Sequence, residues 1–184
     1  SACRVIALDG SQFQKAIRKN PGFALMLMSI MIGRVRLSLA RLTMMKALAD
    51  DASGEERRVF DNKTLDEMAE GFGNPPLSIF GKNKTIIRTG EAGIQMYLVR
   101  EGRVAIMADE RILEHVGVGG VFGEMALVDR AARIATAVAE TECALLAVNR
   151  QQFLELVQTK PAFGLSLLKL LGQRLQAATM QLAK

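Results

Sequence analysis

Residues 121–137 read VFGEMALVDRAARIATA, and the fold turns on this stretch. Gly123-Glu124-Met125-Ala126-Leu127 has helical propensity, but it is too short for an ordinary helix and strand-like residues flank it. A glycine that opens one helical turn leaves backbone N–H groups free and aims a positive dipole end at a single spot. Helix N-termini hold phosphate in the same way. Arg133, a few residues on, suits the closing contact, because a guanidinium grips an anion through two parallel hydrogen bonds. Glu124 does not suit a phosphate; its carboxylate suits a sugar hydroxyl. An anion on amides and arginine, with a hydroxyl on glutamate, describes a ribose phosphate.

The surrounding sequence predicts what carries this turn. From Lys84 to Val148, TIIRTG, MYLVREG, VAIMADE, RILEHVGVGG, ARIATAVAE and CALLAVN each read as a strand of roughly 4–7 residues. Gly90, Gly93, Gly102, Gly117, Gly119 and Gly120 separate them. Short strands at even spacing imply a small antiparallel β-roll, jelly-roll-like, and the helical patterns at both ends make the class α+β. Thr64 and Glu67 in TLDEMAEGF have the spacing of a capping box, so a helix is expected to start at Thr64. Pro75 and Pro76 end it.

The chain also repeats itself. ACRVIALDGSQFQKAIRKNPGFALMLMSIMIGRVRLSLARL aligns without a gap with ECALLAVNRQQFLELVQTKPAFGLSLLKLLGQRLQAATMQL. Cys3 matches Cys143, Phe13 matches Phe153, Pro21 matches Pro161, Arg34 matches Arg174 and Leu42 matches Leu182. Each copy reads as a strand, a short helix around the phenylalanine, and a long helix opened by proline. Residues 1–48 are therefore expected to be the C-terminal strand and helices of a first, truncated repeat, 49–63 a linker, and 64–184 a whole domain. Coincidental similarity of a native N-terminal strand and helix is the competing reading. The apolar face of the Met-rich first helix (Met26, Met28, Met31) needs a partner, expected to be the second domain or another copy of the chain.

Composition excludes other chemistries. The 184 residues are 49% hydrophobic and 23% charged, with 24 Lys+Arg against 19 Asp+Glu, a globular balance whose small positive excess is spread along the chain. One histidine, His115, rules out a His-based metal cluster, and no nucleophile–base pair marks an enzyme. Cys3 and Cys143 lie in apolar runs, as free thiols in a reducing cytoplasm do. The longest strongly apolar run, Phe23 to Gly33, is shorter than the ~20 residues that span a bilayer, so no membrane segment is expected.

The order of these pieces resembles the cyclic nucleotide-binding domain family of catabolite activators, cAMP-dependent kinase regulatory subunits and gated channels. The matching stretches are GEAGIQMYLVREG (90–102), GVFGEMAL (120–127) and ARIAT (132–136). The resemblance implies that Glu124 bonds the ribose 2′-hydroxyl. It also implies that Arg133 pairs with the cyclic phosphate, helped by amides near Gly123, Met125, Ala126 and Ala135. Val116, Phe122, Leu127 and Ile134 would line the ribose and base. The last helix, 162–184, would be a lid and a homodimer contact, with Lys169, Gln173 or Arg174 over the base. The implied function is a cAMP-binding or cGMP-binding sensor module without metal, enzymatic activity or nucleic-acid contact. Two positions depart from the pattern: Ala132 stands where proline is usual, and Ile134 where a small or hydroxylated residue is. The lack of a hydroxyl after Arg133 favours cAMP over cGMP. A ligand-free interaction domain of the same fold, and the ligand-binding part of a transcription regulator, are the alternatives.

Overall fold

The computed structural model describes residue 7 and residues 9–51 and 53–183. It opens with α1 (Gly10–Lys19) and α2 (Pro21–Met44), followed by β1 (Glu56–Arg57) and α3 (Asn62–Gly71). The roll comprises β2 (Ser78–Phe80), β3 (Thr85–Ile87), β4 (Gln95–Glu101), β5 (Val104–Ala108), β6 (Arg111–Val116) and β7 (Val121–Phe122). It continues through α4 (Met125–Asp129), β8 (Thr136–Ala139) and β9 (Cys143–Asn149). It closes with α5 (Arg150–Thr159) and α6 (Pro161–Leu182). The six strands expected between Lys84 and Val148 are all present, in two sheets ordered β1-β6-β5-β8-β3 and β2-β9-β4-β7. Every pairing is antiparallel except β1 with β6. The class is α+β, as expected.

Strand β4 shows why the roll and helices form one body. Its central residues are buried on both faces, so Met96 and Leu98 join the helical core while Tyr97 and Val99 fill the roll. The helical core gathers Met28 and Ile32 of α2 with Phe153, Phe163, Leu167 and Leu171. Each such fully buried side chain stabilises by about 1.5–3 kcal/mol relative to exposure.

The repeat is visible in the fold. Asp9 with Gln12, and Asn149 with Gln152, form capping boxes at the heads of α1 and α5, and Pro21 and Pro161 open the long helices. Helices α2 and α6 lie side by side in the same direction. An added Cβ at Gly164 would sit 3.8 Å from Ala24, and one at Gly172 would sit 3.5 Å from Met31. Leu42 meets Ala178 near the other end. Helix α2 thus packs on α6 of the same chain. The strand predicted before α1, with Cys3, falls outside the described residues, whereas Cys143 is free and buried.

Three expectations need correction. Residues 49–63 are not a loose linker. The Asp51 N–H donates to the Ile112 carbonyl at 2.7 Å, Asp50 pairs with Arg111 at 2.8 Å, and Phe60 stacks on Phe163 at 5.5 Å. Next, the α3 cap is Asp61, not Thr64; the Asp61 carboxylate accepts from the Thr64 N–H at 2.8 Å. Thr64 occupies the third helical position, so Glu67 is a full turn too far along to complete a box. Finally, α2 is long and apolar enough to cross a membrane by length and composition, with a mean hydropathy of 1.6 over its most apolar window. The helix continues past Gly33 through Arg34 and Arg36, which made the apolar run look short. Within the chain, its contacts are with α1, α4, α5 and α6.

The cap correction is testable. Hydrogen bonds from the Thr64 hydroxyl and N–H hold the Asp61 carboxyl below the usual aspartate range. A carboxylate depressed on folding stabilises above its unfolded value and loses that contribution as pH falls through the folded one. Asp61→Ala is expected to lower the unfolding midpoint at neutral pH, with the gap to wild type closing below about pH 4. Thr64→Ala keeps the N–H and has the smaller effect. Urea titrations at both pH values check the pair.

Candidate functional site

Strand β7 brings Phe122, stacked on Tyr97 at 5.3 Å, to the mouth of the roll and hands the chain to Gly123. There φ is +83°, the left-handed region that glycine enters freely. A Cβ on Gly123 would lie 2.8 Å from Arg133 Nη1, and one on Gly93 would lie 2.2 Å from the Ala126 Cβ. These two glycines make room for the arginine and for α4. Glu124 precedes α4 but does not cap it with its side chain. The N–H groups of Met125 and Ala126 at the helix head find no backbone acceptor among the described residues.

Arg133 is fixed from both sides. Its N–H donates to the Glu91 carbonyl at 2.9 Å, and its carbonyl accepts from Gly90 at 2.8 Å. Its guanidinium donates to the carbonyls of Gly123, at 2.6 Å, and Gln95. The residue is only 8% exposed, and no carboxylate among the described residues lies within ion-pair distance. Burial pulls its pKa below the usual arginine value, partly offset by Tyr97, Glu124 and Glu91. A buried cation bonded only to neutral carbonyls still favours an anion.

Glu124 is buried to 1% exposure. Its Oε1 accepts from Arg174 Nη1 at 2.5 Å, while Oε2 is buried with no donor among the described residues. Burial pushes the carboxyl pKa up, and the Arg174 charge pulls it back. Arg174, from α6, also donates to Glu114 Oε1 at 2.9 Å and to the Val121 carbonyl at 3.1 Å. Burial opposes its charge, but Glu114 and Glu124 outweigh that and raise its pKa. Glu114 pairs in turn with Arg57 at 2.8 Å. Three guanidiniums therefore face two carboxylates, and Arg133 carries the unmatched charge.

These groups line one cavity. Phe122, Gly123, Glu124, Met125, Ala126, Arg133, Ile134, Ala135 and Arg174 all border it. Val116 and Leu127 do not. Val116 packs against the Gly117–Gly120 turn inside the roll, and Leu127 turns into the helical core. Lys169 and Gln173 are exposed away from the cavity, leaving Arg174 as the residue of that trio beside it. Sequence reading missed Glu114, Arg57 and the α2 residues Val35, Arg36 and Leu39, which form one wall. Glu114 carried a signal: it is a charge at an inward position of RILEHV, between Ile112 and Val116. The others are brought in from distant segments. His115 is buried and hydrogen-bonded to Glu140 at 2.8 Å, a satisfied histidine outside the cavity.

The site is thus a glycine-opened turn facing a buried arginine at the mouth of a helix-closed antiparallel roll. Residues 78–160 match the family model described as the cyclic nucleotide-binding domain, and the chain carries a domain of that family. The chain is 36% identical over 109 residues to the cyclic AMP receptor protein of Thermus thermophilus, a match covering 56% of this chain and 50% of that protein. It is 40% identical over 75 residues to a cAMP-dependent protein kinase regulatory subunit of Eremothecium gossypii, covering 41% of this chain and 16% of the subunit. The crystal structure of the Thermus thermophilus catabolite activator protein superposes with a TM-score of 0.57 and 30% identity. That superposition covers 67% of this chain and 59% of the other. The chain thus spans half or less of the length of these curated relatives.

Proposed function

We propose that the cavity binds a cyclic nucleotide, cAMP in preference to cGMP, and that the chain is a sensor module signalling through α6. Arg133 carries the reading: a buried guanidinium without a carboxylate partner, set beside the free amides of Met125 and Ala126. The cyclic phosphate takes that place. The ribose 2′-hydroxyl donates to Glu124 Oε2, which is buried without a donor. Ile134 offers the base an aliphatic wall and no hydroxyl, which favours the less polar purine edge of cAMP. Arg174 links Glu124 to α6, so a hydroxyl on Glu124 alters the hold of the helix on the roll. The shift is limited to the ligand's differential affinity for the two helix positions.

The reading extends to domain organisation. Residues 1–48 are the tail of a preceding copy of the same domain, and α2 pairs with α6 as two equivalent lids would. The repeat alignment matches Ile30, Arg34 and Leu37 with Leu170, Arg174 and Ala177. In the second copy Leu170 is buried in the helical core and Arg174 and Ala177 border the cavity, whereas Ile30 and Leu37 are 48% and 53% exposed. A preceding roll covers that face. The helix pairing expected of a homodimer is then made within one chain.

Calorimetric titration tests the ligand. The expected result is saturation at one nucleotide per chain, cAMP binding more tightly than cGMP. No binding of either at millimolar concentration contradicts the sensor reading and leaves an interaction domain of the same fold.

A further inference from the structure

We infer that Arg36 of α2 is a positioning residue for Arg133, so that the grip on the ligand is set by a helix outside the roll; this rests on the function proposed above. Asp129 ends α4, Arg130 turns through a left-handed φ of +57°, and Arg133 follows three residues later. This segment is pinned almost residue by residue. Asp129 Oδ1 accepts from the Ala131 N–H at 3.0 Å, and the Arg133 N–H donates to Glu91. The remaining fixture is Arg36. Its Nε and Nη2 meet the two Asp129 oxygens at 2.5 and 3.1 Å, and its Nη1 donates to the Ala132 carbonyl at 2.8 Å.

One guanidinium thus bridges both ends of the turn between the anion-facing helix and the anion-facing arginine. Its fork geometry requires both acceptors at once, and lysine cannot supply it. The pair is largely shielded, at 19% and 17% side-chain exposure, so solvent does not dissolve it. Ala132 has no ring to fix its own backbone, and its N–H donates to no backbone carbonyl among the described residues; Arg36 supplies from outside what the local sequence lacks. Because coupling is reciprocal, displacement of α2 loosens the Arg133 loop, and an anion on Arg133 steadies α2.

Arg36→Met keeps the apolar stem and removes the fork; Asp129→Asn keeps an acceptor for Ala131 and removes the charge. Without nucleotide, either variant is expected to speed amide exchange at Ala131 and Arg133 about tenfold, leaving amides in β4 and β9 unchanged. With cAMP, each weakens binding about tenfold, and the double variant no further, as coupled partners require. Arg36→Lys is expected to resemble Arg36→Met. Unchanged exchange at Ala131 and Arg133, or effects that multiply in the double variant, overturns the inference. Failure of the wild-type chain to bind nucleotide counts against the proposed function alone, since the exchange result decides the role of Arg36 without ligand.

Discussion

Arg133→Ala is expected to weaken cyclic nucleotide binding by about 30-fold to 1000-fold, the cost of about 2–4 kcal/mol for truncating one partner of a buried charged contact. The loss has two parts. The variant removes two charge-assisted hydrogen bonds, and it leaves a phosphate in a site where only amides compensate its desolvation. The fold should tolerate the change, because among the described residues the guanidinium bonds only two carbonyls, those of Gly123 and Gln95. Thermal unfolding without ligand and titration with it separate the effects: a modest shift in the first, a near-complete loss in the second. Retained affinity would place the phosphate elsewhere.

The second large effect concerns stability. Arg174→Leu strips the shared partner from two buried carboxylates, Glu114 and Glu124. Arg57 remains for Glu114, but Glu124 has no other ion-pair partner among the described residues. Removing one member of a buried pair costs about 3–5 kcal/mol, because the remaining charge stays desolvated. For a chain of this size that is a fall in Tm of about 10 °C. Adding Glu124→Gln to Arg174→Leu is expected to recover much of the loss, since a neutral amide does not carry the charge penalty. Differential scanning calorimetry of wild type, single and double variants checks this. Equal destabilisation of single and double variants would show that packing of α6, not charge, had been lost.

The site was legible where it was local. Gly123, Glu124 and Arg133 fall within one short stretch of the chain, and turn chemistry and side-chain type single them out without the fold. The strands were legible for a similar reason, as β-branched runs between glycines that the backbone requires. The α3 cap was misread because DNKTLDE offers several oxygen-bearing candidates, Asp61 and Thr64 among them. Only the structure shows that the earlier one, Asp61, reaches the N–H of the later. Glu114, Arg57 and Arg36 reach the cavity from three other segments, and no spacing rule joins positions that far apart. Val116 failed differently: alternation gives its face correctly, but depth within the roll decides whether that face meets core or cavity.

The most direct measurement is a crystal structure of the chain grown with cAMP. The account predicts density for one nucleotide, its phosphate within hydrogen-bond distance of Arg133 and the Met125 and Ala126 amides, and its 2′-hydroxyl on Glu124. An empty cavity at saturating cAMP, or a nucleotide whose phosphate lies away from Arg133, would contradict it.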